Sequence, residues 1–118
     1  MIRAYLLYTG DGGHSYFTPG SVNELVWTDA TSISFKETPS GSEYDWHPAP
    51  AVQYVLTLSG ELEFTTSKGE TFILKPGDVL IATDVTGKGH KWKIIGNDPW
   101  KRAYVKFSDT QELNFSPS

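Results

Sequence analysis

The stretch "GSEYDWHPAPAVQYVLTLSG", residues 41–60, decides the fold, because it sets a histidine before a Pro-Ala-Pro step and then opens into an alternating run. "AVQYVLTL" (51–58) is rich in β-branched and aromatic residues, and Ser59-Gly60 leads into a second such run, "ELEFTT" (61–66), so the pair reads as strand, turn, strand. A two-residue turn at Ser59-Gly60 sets Leu58 opposite Glu61, Thr57 opposite Leu62, Val55 opposite Phe64 and Gln53 opposite Thr66. Gln53 then shares a face with Val55, Leu62 and Phe64. A second tight turn at Lys68-Gly69 sets Thr66 against Thr71 and Phe64 against Ile73, extending this face over three strands. It reads as a barrel interior with a polar patch at one end. The opposite face carries Tyr54, Leu56, Leu58, Phe72 and Leu74, too apolar to stay in water. The strand "IRAYLLYT" or a second subunit must cover it, and a homodimer is expected on that ground.

The rest of the chain repeats the pattern. Further strands are expected at 2–9, 32–38, 70–75, 78–84, 90–95 and 101–107, each bounded by Gly, Pro, Ser, Asn or Asp. Only "GSVNELVWT" (20–28) offers a helical turn, with Ser21 as N-cap and Glu24 as its reciprocal partner. The fold class is all-β, an antiparallel sandwich closed into a small barrel. The 118 residues make one domain: a strand and loop arm over 1–31, a barrel over 32–107, and a polar tail over 108–118 expected to fray.

Composition narrows the function. A net charge of −4 opposes nonspecific attraction to nucleic acid or anionic lipid. No apolar run approaches a membrane span, and the first residues lack the pattern of a signal peptide, so a soluble cytoplasmic protein is expected. There are no cysteines, which excludes thiolate catalysis and cysteine-ligated metal. No Gly-x-Ser-x-Gly elbow is present, and Gly60, Gly69 and Gly77 fall at turns rather than in a phosphate-cradling loop.

Residues 41–60 resemble the first motif of the cupin superfamily, G-x5-H-x-H-x3-E-x6-G, with every interval kept at Gly41, His47, Ala49, Gln53 and Gly60. "KPGDVLIATDVTGKGH" is similar to the second motif: it has the turn at Pro76, Gly77 and Asp78, a strand, and the step from Gly87 to His90, with Val85 where the family has proline. The resemblance runs over about residues 32–107 and implies a small single-domain bacterial cupin with a jelly-roll fold. Cupins hold a divalent metal through three histidines and a glutamate. By that resemblance His47 and His90 match two of the histidines, Ala49 replaces the third, and Gln53 replaces the glutamate. A divalent metal (Zn, Mn, Fe or Ni) is thus expected on His47, Gln53 and His90 at most weakly, since an amide is a neutral donor.

Asp45 shares the parity of His47 in an extended segment, and His14 lies in a "GDGGHS" loop able to fold over the barrel mouth, so both are candidate replacements. A structural reading stands beside each assignment: Gln53 bonded to Thr66 or a water, His14 a surface residue, Trp92 part of the core. "KGHKWKIIGNDPWKR" gathers five basic residues around Trp92 and Trp100, yet strand alternation points Lys91 and Lys93 away from His90 and Trp92, which argues against a nucleic-acid groove. Two functions remain open. The first is small-molecule binding in a pocket lined by His47, Gln53, Val55, Phe64, His90 and Trp92. The second is an enzyme of dioxygenase, isomerase or lyase type, with His47 and His90 as catalytic residues through a metal or as general bases.

Overall fold

The computed structural model describes all 118 residues. Eleven strands follow one another: β1 (Ile2–Thr9), β2 (Ser15–Val22), β3 (Ser32–Thr38), β4 (Glu43–His47), β5 (Gln53–Ser59), β6 (Glu61–Thr66), β7 (Thr71–Leu74), β8 (Val79–Ala82), β9 (His90–Ile95), β10 (Trp100–Lys106) and β11 (Ser116–Pro117). They form a seven-stranded sheet, β11-β2-β1-β8-β5-β10-β3, facing a four-stranded sheet, β4-β9-β6-β7. Every ladder is antiparallel except β1 with β8. The core between the sheets is apolar and aromatic, with Leu7, Leu62, Phe64 and Leu74 almost wholly buried.

The alternation along β5 and β6 falls as expected, but their pairing does not. Gln53, Val55 and Thr57 are buried, as are Leu62, Phe64 and Thr66, yet β5 pairs with β8 and β10 while β6 pairs with β7 and β9. The Ser59-Gly60 step therefore carries the chain from one sheet to the other rather than closing a hairpin. Gly60 sits at φ +91°, with the Pro99 carbonyl so close that a side chain would strike it. Parity survives because period-2 alternation is a property of the strand, whatever lies beside it.

The second turn shifts the register. Phe64 faces Phe72 and Leu62 faces Leu74, because the loop holds three residues, closed by Thr66 N–H to the Glu70 carbonyl and Gly69 N–H to the Thr66 carbonyl, with Gly69 at φ +97°. One residue of slip exchanges the faces of β7. Phe72 and Leu74 thus enter the core, which removes them from the outward patch. Tyr54 also leaves it, covered by Phe107 and capped at its hydroxyl by the Asn114 N–H.

Two further expectations are corrected. Ser21 belongs to β2 rather than capping a helix, and residues 24–25 make a turn with Leu25 at φ +61°. The segment 108–118 is not a frayed tail: Leu113 and Phe115 pack on the outer face of the larger sheet, and β11 pairs with β2. The alternating apolar residues there needed a partner that only the folded sheet supplies.

Candidate functional site

A cavity of about 490 Å³ lies between the sheets, with lining residues from one edge strand of each sheet, β3 and β4, among others. His47, Gln53, Val55, Phe64, His90 and Trp92 all line it, so the six pocket residues expected from sequence converge. His47 on β4 faces His90 on β9 in register, and their ring centroids are 4.6 Å apart. Gly89, at φ +76°, permits this approach, since a side chain there would collide with the His47 carbonyl.

Asp45 does not join them. Between the pairs Tyr44–Trp92 and His47–His90 the ladder is irregular, three steps on β4 matching two on β9, and this bulge gives Tyr44 the face that simple parity assigns to Asp45. Tyr44 packs against the His47 ring at 4.1 Å. Asp45 instead accepts the His47 Nδ1–H at its backbone carbonyl, 2.7 Å away. His14 is also elsewhere, with Nδ1 3.3 Å from the Ser67 hydroxyl.

Sequence reasoning missed Asp84, which is fully buried behind His90. Its Oδ2 lies 2.6 Å from His90 Nδ1 and accepts the Ser15 hydroxyl at 2.6 Å, while Oδ1 has no partner. Asp84 closes the expected strand 78–84, within "IATDVTGKGH"; the strand ends at Ala82, and only the fold shows the acid turned inward. The result is two imidazoles, each held at Nδ1 by an oxygen, each presenting Nε2 for other use. Fixing one ring nitrogen sets the tautomer and aim of the other. Burial lowers the pKa of His47 from its ordinary 6.5, and His90 pushes the same way, against raising contributions from the Asp45 carbonyl and the Asp84 carboxylate. Neutral His47 therefore has a free lone pair at pH 7.

Gln53 is 5 % exposed, and its amide is not bonded to Thr66, whose hydroxyl accepts the Glu70 N–H. The donors available to a metal are two imidazoles and this amide, Ala49 offering none. No group of three or more His, Cys, Asp or Glu side chains is placed to hold a metal ion. Such a set is too small and too neutral to fit a tightly held divalent ion. On the outer face of β9, Lys91 lies 4.8 Å over the Trp46 ring and Lys93 3.6 Å from Glu63. This mixed-charge surface does not form a track for a polyanion.

Also missed were Trp100, Arg102 and Tyr104 on β10, all at the cavity wall. In the sequence Trp100 and Arg102 fell in the basic and aromatic run and Tyr104 in the expected strand 101–107; pairing of β10 between β3 and β5 is what turns all three toward the cavity.

The arrangement can be compared with known proteins. The cupin domain of Cnp3 from Schizosaccharomyces pombe superposes with a TM-score of 0.55, covering 92 % of this chain and 84 % of that one at 21 % identity. The chain has the cupin fold. A DUF861 family protein from Thermotoga maritima is similar over 64 % of this chain and 77 % of its own length, at 28 % identity and a TM-score of 0.49. Two proteins of Diaporthe leptostromiformis, phomopsin biosynthesis cluster proteins C' and D, are each 32 % identical over 62 residues, 52 % of this chain. The match spans 31 % of the length of each. No family model matches the chain. No helix is long and apolar enough to cross a membrane.

Proposed function

We propose that this cupin binds a small molecule in the cavity between its sheets, with His47 and His90 at the polar pole. The observation that carries this reading is the oriented imidazole pair: a buried His90 and a half-buried His47, each with Nε2 uncommitted beside the Gln53 amide, leave polar capacity that a ligand would satisfy. A divalent metal enters only as a weakly held guest of the two imidazoles. The test uses ligand-observed NMR with a fragment library on wild type and on Ser34→Trp, which fills the cavity from an exposed position on β3. Fragments should bind wild type and be displaced from the variant. A wild type that binds none, or a variant that binds equally, overturns the reading.

A catalytic role is the second reading, favoured by the Asp84–His90 contact. A buried carboxylate accepting Nδ1–H orients the imidazole and stabilises the cation formed when Nε2 takes a proton, the arrangement of a general base. We also infer a homodimer, on a different patch from the one expected. Phe35 (69 % exposed), Ile33 and Leu58 (61 % each) lie on the outer face of the adjacent strands β3, β10 and β5, and a second copy would cover them.

A further inference from the structure

We infer that the ligand of this cavity is an anion, and specifically a small carboxylate with a flat apolar body; the inference rests on the small-molecule reading and names its substrate class. The chain has fourteen acidic and ten basic residues, yet three of the basic ones, Lys36, Arg102 and Lys106, line the cavity and no Asp or Glu does. None of the three is in a salt bridge, the ion pairs being Arg3–Asp78, His90–Asp84 and Lys93–Glu63. Arg102 is 2 % exposed. Its guanidinium stacks 3.7 Å over Trp100, with Nε donating to the Tyr104 hydroxyl and Nη1 to Thr38 and the Trp100 carbonyl. These partners are all neutral, and Nη2 is left over. Lys36 stands directly opposite Arg102 in the β3–β10 ladder. Like charges facing each other across strands destabilise a sheet, and a buried cation without a counter-charge costs more. An anion between them removes both penalties. One free guanidinium nitrogen, Nη2, facing an ammonium suits the single charge of a carboxylate, whereas phosphate sites commonly add the backbone N–H groups of a helix N-terminus, and the cavity wall is built of strands. Trp92 and Trp100, with rings 4.9 Å apart, supply the aromatic wall for the apolar body.

The experiment compares indole-3-acetate, indole-3-acetamide and phenyl phosphate, followed through the indole N–H signals of Trp92 and Trp100 in labelled wild type, Lys36→Gln, Lys106→Gln and Arg102→Gln. The acetate should bind at least tenfold more tightly than the amide, and the preference should shrink in Lys36→Gln, which sits at an exposed position and keeps the fold. Arg102→Gln should abolish the preference if it folds; if it does not, Lys36→Gln and the salt dependence of acetate binding decide. Equal binding of acetate and amide overturns the anion assignment while leaving the small-molecule reading intact. Preference for phenyl phosphate overturns the carboxylate in favour of a phosphate. Absence of binding by all three probes, together with silence of the fragment library, removes the small-molecule reading itself.

Discussion

His90 lies against a fully buried carboxylate, so His90→Ala should cost stability as well as any function of the imidazole. The variant leaves Asp84 with Oδ1 unbonded and Oδ2 held by Ser15 alone, and should lose ~2–4 kcal/mol in urea unfolding. Combining it with Asp84→Ala should recover part of that loss; strict additivity would refute the coupling. For His47, the lowered folded pKa means that the unfolded chain binds a proton more readily. Stability is therefore whole above about 6.5, the unfolded value, and is lost as pH falls through it toward the folded value. His47→Gln should flatten that part of the stability profile, and an unchanged slope would assign the pH dependence to other groups. Ala49→His with Gln53→Glu adds one nitrogen and one negative charge beside the imidazoles. Affinity for Zn or Mn by titration calorimetry should rise by roughly two orders of magnitude; no gain would mean that the four positions do not converge on one point.

At the scale of strands, eight of the eleven were visible as alternating runs, including the run that carries Gln53 and Val55, because alternation is local. What the runs pair with was not visible. Ser59-Gly60 has the composition of a hairpin turn, and only the competing ladders of β8 and β10 show that it is a crossing between sheets. The site was legible where motif spacing stood in for distance, as for His47 and His90. It was illegible where a bulge or a remote strand set the geometry, as for Tyr44, Asp84 and Arg102. β2 escaped notice because Pro19 and Gly20 break its pattern, and β11 because it is two residues long. A test at this scale is Gly60→Ala. The positive φ and the near Pro99 carbonyl should make it destabilising by about 1–3 kcal/mol, with the denaturant slope unchanged; a neutral result would show that the crossing can relax.

The outer face of the larger sheet is unequal from one end to the other. Residues 107–115 cover the β1, β8 and β5 end through Phe107, Leu113 and Phe115, whereas Ile33, Phe35 and Leu58 at the β3 end stay open. Light scattering should therefore give a dimer for wild type and a folded monomer for Phe35→Glu, whose carboxylate would be desolvated at the contact. A monomeric wild type would leave those side chains as ordinary exposed apolar surface. The strand order has another consequence, for how the chain reaches this state. β1 finds its inner neighbour only in β8, and β3 pairs only with β10, so each early strand must wait for one made much later. Chains dominated by such distant pairings fold in milliseconds to seconds rather than microseconds. During synthesis on the ribosome, the open edge of β1 and the apolar outer side of β3 would emerge long before their partners do. A nascent chain of this design is most exposed to aggregation just before β10 appears.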